Sequence, residues 1–391
     1  MKEYGEANMR MNARDYYYSV LAPHEQGLGY DSLTDLQAAA VQNVVRDYDV
    51  PLDRVREVIE AARSFVPALS NDRAFNDYLL ALGDRSPELQ DAIARVFVVR
   101  RLDYGFDAFA LAPQSEYDGD LVFFESGLAG VCVEHARLYV LHRQLSWDQV
   151  AESDLKVTLA ALTEDGFMLL DAQELWLNER AYYPPRDSVG VPPHLLQQFH
   201  TIYQWAVYYI LAHEVAHHVL GHLSGDVSNL PVLNRIPAEN RRWEDAGLTA
   251  DQKLELQADA LALLMAVGVT LEPYGEYPVW SDAMMAYFGS QIVFTALAEL
   301  TGGYDRQSLS HPTLRVRAAQ AEQLAMLWLS EESIRDLCLV SVRDYRDFLA
   351  RLHTVHADYT PDNRSRVDSG NEHGFLDGRP RVTFFNSTMK R

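Results

Sequence analysis

The run Leu211-Ala212-His213-Glu214-Val215-Ala216-His217-His218-Val219-Leu220-Gly221-His222 constrains this chain more than any other segment. The residues before it, Ile202 to Ile210, are mostly apolar and aromatic, with neither proline nor glycine. They predict a core helix that carries its histidines inward. Imidazoles and a carboxylate at the end of such a helix are costly to bury without a partner. On a helix His213 and His217 lie one turn apart in height and about 40° apart in projection. One metal ion between the two rings supplies the partner.

The pattern His-Glu-x-x-His on a helix is the layout of a zinc hydrolase. Glu214 flanks the ion and reaches a water beside it, the position of a general base. His222, nine residues after His213, lies roughly 180° round a continuous helix. It joins the pair only if Gly221 breaks the helix and turns the chain back. The three-histidine metzincin pattern needs glycine and histidine at other offsets and is rejected. A better third ligand lies in Leu254-Glu255-Leu256-Gln257-Ala258-Asp259-Ala260-Leu261, a second apolar helix with two carboxylates four apart on one face. Glu255 is the expected ligand. Asp259 is expected to accept a hydrogen bond from a ligand histidine and so fix its tautomer.

His-Glu-x-x-His, then x-x-x-Gly-His, then Glu-x-x-Ala-Asp, resembles the gluzincins of the CaaX prenyl protease and heat-shock membrane protease superfamily. Ser310-His311-Pro312-Thr313-Leu314-Arg315-Val316-Arg317 is similar to that family's downstream His-Pro segment with a later arginine. The resemblance covers about residues 200–320. It implies a zincin-like metallopeptidase domain with zinc on His213, His217 and Glu255, Glu214 as base and Asp259 behind the ligands. It places Arg317 and His311 either near a substrate carbonyl or among the groups that hold the site together. Many members of the superfamily are membrane proteins. This chain departs from them, because it has no uninterrupted apolar run of 18 or more residues.

The 391 residues predict two domains or one large one. Apolar content of 48% is ample for a core. A formal charge of −22 argues against nucleic acid or an anionic membrane as partner. The N-terminus lacks the apolar stretch of a signal peptide. Two cysteines, Cys132 and Cys338, are too few for a disulfide framework, and a cytoplasmic location is the expectation. Cys132 and His135 lie three apart in what reads as a strand, so they point to opposite faces and no thiol nucleophile is expected.

Residues 1–103 are expected to form a helical N-terminal region. Its signals are a capping box at Ser32-Leu33-Thr34-Asp35, Pro51 opening a second helix, Ser70 capping a third, and Ser86-Pro87-Glu88 starting a fourth. Residues 104–357 are expected to be the metallopeptidase domain, with a sheet in 104–190 and the active-site helices in 195–330. Strands are read at 121–125, 130–134 and 166–170, between turn signals at Asp118-Gly119, Gly127 and Asp165-Gly166. An edge strand beside the site helix is suited to binding an extended peptide by strand addition. Two Pro-Pro pairs, at 184–185 and 192–193, mark a linker, and 223–248 reads as a loop over the site. Helices are expected at about 249–267, 281–301, 312–329 and 331–355, and a mobile polar tail at 358–391.

The fold class expected is therefore α+β, mostly helical. The expected function is zinc-dependent hydrolysis of a protein or peptide. One alternative is a narrow-specificity host-defence or toxin protease cutting one cellular protein. Another is a non-catalytic zinc-binding helical scaffold for a protein partner. Intact Glu214 favours the enzyme, because a pure zinc site does not need it.

Overall fold

The computed structural model describes residues 11–21, 51, 72–101, 107–112, 114–147, 191, 193–268, 280–306, 308–329 and 331–359. The expectations at Ser32–Asp35, Ser70, 166–170 and the tail beyond 359 lie outside them.

The described chain is mostly helical with a small sheet, an α+β arrangement. A two-residue strand, β1 (Met11–Asn12), runs into a short helix, α1 (Ala13–Tyr16), and a π-turn at Tyr17–Leu21. Helix α2 (Asp72–Arg85) leads to a 3-10 turn at Pro87–Leu89, with proline at its first position, and to one turn of helix, α3 (Gln90–Ile93).

There the chain departs from the helical expectation. Val96–Arg101 is a strand, β2. Its Val-Phe-Val-Val run suits a pleated, half-buried surface, and it finds a partner in β5 (Asp120–Glu125), beside which it runs parallel. Strand β3 (Ala108–Leu111) lies antiparallel on the other side of β5, and a two-residue strand, β4 (Tyr117–Asp118), pairs with β1. Among the described residues the order β2-β5-β3 leaves β3 at an edge.

Alternation of side chains gives this sheet two apolar faces. Val96, Val98, Val122 and Phe124 join the helical core. Phe97, Val99, Leu121 and Phe123 turn to the other side, against Ala13, Tyr17 and Tyr117. Phe109 stacks on Phe123, its partner in register, at 5.1 Å.

After β5 comes α4 (Ser126–Trp147), a 22-residue helix where a strand at 130–134 was expected. The short apolar run at 128–133 does not by itself tell a buried helix from a buried strand. Cys132 and His135 therefore sit one helical turn apart, not on opposite faces of a strand. Cys132 is fully buried, and burial pushes its thiol up to about 12. His135 Nδ1 lies 3.0 Å from the Tyr345 hydroxyl. A buried, protonated thiol is a packing residue.

Helix α5 (Leu196–Val219) is the axis of the molecule. It packs against α4, the sheet, α6 (Ala250–Val267) and α7 (Trp280–Thr301). Gly289 of α7 allows the closest approach: a Cβ there would lie 2.5 Å from the Trp205 carbonyl oxygen. Within α7, Asp282–Thr301 is, among the described residues, the one span long and apolar enough to cross a membrane, and 83% of it is buried inside the protein. Helices α8 (Leu314–Trp328) and α9 (Glu332–Tyr359) complete the bundle. Between α5 and α6 the expected loop holds three 3-10 turns, anchored by buried Trp243 and by Arg242 Nε on Gln323 Oε1 at 2.8 Å.

Candidate metal centre

The C-terminal turns of α5 carry His213, Glu214 and His217, and α6 lies alongside with Glu255. His213 Nε2 and His217 Nε2 are 3.2 Å apart. Glu255 Oε2 is 3.4 Å from the first and Oε1 3.6 Å from the second. Ligands about 2.0–2.2 Å from a tetrahedral ion stand about 3.3–3.6 Å from one another. Each of these separations, the two to Glu255 made by different carboxylate oxygens, is of that size, and this group can hold a metal ion. His213, Glu214 and Glu255 are all buried.

Asp259, one turn beyond Glu255, is fully buried and heavily bonded. It takes the Nδ1–H of His213 at 2.9 Å. It also accepts from Arg317 Nε at 2.7 Å, Arg317 Nη2 at 2.8 Å and the Tyr209 hydroxyl at 2.8 Å. With Nδ1 committed to Asp259, His213 presents its Nε2 lone pair toward Glu255 and His217.

Arg317 is 2% exposed, its guanidinium 5.5 Å above the Phe294 ring. Its second terminal nitrogen, Nη1, faces Glu255 Oε2 at 3.6 Å. A guanidinium engaged in this way holds Asp259, the site-holding one of the two places expected for Arg317. Its neighbour Arg315 is exposed and pairs with Asp305 at 2.6 and 2.8 Å.

His311 sits in the loop before α8, 4% exposed. Its Nε2 is 3.4 Å from Glu255 Oε1, and its Nδ1 is 2.8 Å from Ser310 Oγ. The capping box of α6 holds this loop in place. Thr249 and Gln252 cap the helix reciprocally, Thr249 Oγ1 also donates to the Leu309 carbonyl, and Gln252 Nε2 donates to the Ser308 carbonyl.

Glu214 Oε1 is 4.0 Å from His213 Nε2, beside the donor triangle rather than part of it. Its other oxygen accepts the backbone N–H of Ala110, on edge strand β3, at 3.0 Å. Burial raises the Glu214 carboxyl to about 7, with the Glu255 carboxylate adding to the rise, while His213 and the Ala110 N–H oppose it.

His222, which the sequence reading brought to the pair only through a turn at Gly221, lies beside the centre with Gln257, to which that reading gave no role. The helix α5 ends in a Schellman turn: His222 N–H donates to the His217 carbonyl and Gly221 N–H to the His218 carbonyl. Gly221 takes φ +70°, and a Cβ on it would stand 1.7 Å from the Asp226 carbonyl oxygen. The turn brings His222 back, with its Nδ1 3.0 Å from His217 Nδ1 and its Nε2 3.2 Å from Gln257 Oε1. The spacing His217-x-x-x-Gly221-His222 is the signal that finds this contact, because a Schellman turn apposes the residue after glycine to the one four before it.

The charges favour a cation. Three carboxylates face one guanidinium. Burial alone would raise Glu255, but the imidazoles of His217 and His213, with Arg317, outweigh it and hold the carboxyl well below its usual range. Burial alone would lower His213, but Asp259 and Glu255 outweigh it and raise the imidazole to about 10. A metal ion bound to this group would take the place of that proton on Nε2. His222 is driven down to about 4 by burial and is neutral.

No family model, no curated protein and no solved structure matches this chain.

Proposed function

We propose that this chain is a zinc-dependent endopeptidase of gluzincin type. The observation that carries the reading is the donor triangle with Glu214 beside it, bound by one oxygen to β3 and free of the ligand set. Two imidazoles and one carboxylate with an open fourth position are the donor set of catalytic zinc, whereas structural zinc takes four protein ligands. Zinc bound there lowers the pKa of a coordinated water to about 7 and polarises a carbonyl.

The chain's own groups divide the remaining work. Glu214 accepts the proton of the attacking water and returns it to the leaving amine. Asp259, held by Arg317 and Tyr209, keeps His213 in its ligating tautomer. His311, with Nδ1 on Ser310 and Nε2 toward the site, is placed to donate to a developing oxyanion. Among the described residues β3 is an edge strand and touches the base, which supports an extended peptide as substrate, lying along β3 by strand addition. Both cysteines are buried and free, in keeping with a reducing compartment such as the cytoplasm.

The test is elemental analysis of the purified protein, followed by digestion of a peptide mixture with and without chelator. One zinc per chain with chelator-sensitive cleavage is the expected result. Stoichiometric zinc without cleavage of any peptide favours a scaffold, and no bound metal overturns the proposal.

A further inference from the structure

The two ligand histidines are held in different ways. His213 Nδ1 meets a carboxylate that is itself clamped by an arginine. His217 Nδ1 meets the His222 imidazole, and that imidazole meets the Gln257 amide. We propose that Gln257 and His222, brought together by the turn at Gly221, form an orienting relay that fixes His217 in its Nδ1–H tautomer and aims its Nε2 lone pair at the metal. This inference rests on the metal-centre reading of His213, His217 and Glu255.

The relay has a direction, and the end residue sets it. With the Gln257 carbonyl toward His222, the His222 Nε2–H donates to it. The lone pair of His222 then lies on Nδ1 and accepts the Nδ1–H of His217. His217 is left with a bare Nε2, 3.2 Å from His213 Nε2 and 3.6 Å from Glu255 Oε1, where an ion binds. If the amide were turned round, its N–H would donate to His222 Nε2. His222 Nδ1–H would donate to His217, and a proton would occupy His217 Nε2. That state cannot bind metal. One amide orientation therefore decides, through two rings, whether the second ligand is competent.

The backbone supports the assignment independently. A Schellman turn commonly seals its contact between first and last residues with apolar side chains. Here the same two positions are His217 and His222, ring centroids 5.0 Å apart. Glycine is required at 221 by its positive φ and by the approach of Asp226. The helix end thus delivers a ring nitrogen to the one atom of His217 that faces away from the ion. Glu255, Gln257 and Asp259, at alternate positions of α6, then serve as ligand, relay end and clamp.

Long-range nitrogen–proton correlation of the chelator-treated protein, labelled in histidine, reads the tautomers directly. His217 protonated at Nδ1 and His222 at Nε2 is the expected pattern. Gln257→Met, which keeps the length and removes the hydrogen bond, should mix the two tautomers of His217. Gln257→Glu, which can only accept, should restore the first. In zinc competition with a chromophoric chelator, His222→Ala should bind about 10- to 100-fold more weakly than the parent. Wild-type His217 protonated at Nε2, or unchanged tautomers in Gln257→Met, would overturn the relay. Unchanged zinc affinity in His222→Ala would do the same. If the parent chain takes up no zinc while its tautomers are as expected, the metal reading fails and the relay stands.

Discussion

Arg317 grips Asp259 with two parallel hydrogen bonds, Nε to Oδ2 at 2.7 Å and Nη2 to Oδ1 at 2.8 Å, and both side chains are out of contact with water. The pair stands behind His213, so its loss is felt at the ligand. Removing one partner of a buried ion pair leaves the other charge uncompensated, at a cost of about 3–5 kcal/mol. Arg317→Ala should lower the unfolding free energy in urea by that amount and reduce zinc content. Arg315→Ala, which breaks only an exposed pair, should do neither. Equal effects from the two substitutions would show that the clamp is not what holds the site.

Asp259→Asn tests the same clamp from the other side. An amide can still accept from His213, but it no longer balances Arg317. Zinc affinity should fall about 10- to 100-fold, the usual cost of losing a partner behind a ligand. Competition against a calibrated chelator measures it, and an unchanged affinity would count against the role.

Glu214 separates binding from chemistry. It lies outside the donor triangle, so Glu214→Gln should keep its zinc. Loss of the general base should slow peptide hydrolysis about 10²- to 10⁴-fold. His213→Ala should lose metal and hydrolysis together. Near-normal turnover by Glu214→Gln would contradict the proposed mechanism.

Gly221 and Gly225 both have positive φ, +70° and +79°, but of the two only Gly221 is crowded. A non-glycine residue in that backbone region costs roughly 1–2 kcal/mol. Gly225→Ala should cost about that much and leave zinc binding alone. Gly221→Ala must also displace the 226 carbonyl, so it should cost more and weaken zinc binding by moving His222. Denaturant midpoints and chelator competition on the two variants give the comparison.

Stability should fall with acid through α4. Burial lowers His135 and His142 to about 4, with Glu299 and Asp344 respectively opposing. Each is therefore neutral in the fold where the unfolded chain would bind a proton. Their contribution is constant above the ordinary imidazole value of about 6.5 and is lost as pH falls from there toward 4. His142→Phe keeps the stack on Phe348, 4.8 Å away, and removes the charge. The slope of unfolding free energy between about pH 5 and 7 should be shallower in this variant. An identical slope would exclude His142 from the transition.

The amino-acid sequence by itself determined the parts that depend on local periodicity and spacing. The helix of His213 and His217 and the helix of Glu255 and Asp259 are legible as long apolar runs without proline or glycine, each with its polar pair four residues apart. Two histidines and a carboxylate can be assigned to one centre this way because a helix fixes the direction of each side chain. Tertiary structure decided the rest. Val96–Arg101 became a strand because β5 lies beside it, and Ser126–Trp147 became a helix because a short apolar run such as 128–133 takes its form from what encloses it. Arg317 found Asp259, a residue 58 positions earlier. The Ala110 N–H found Glu214 104 positions away. Contacts of such sequence separation leave no periodic trace. They exist only when the core has closed and the burial of each charge has to be balanced by the nearest opposite one.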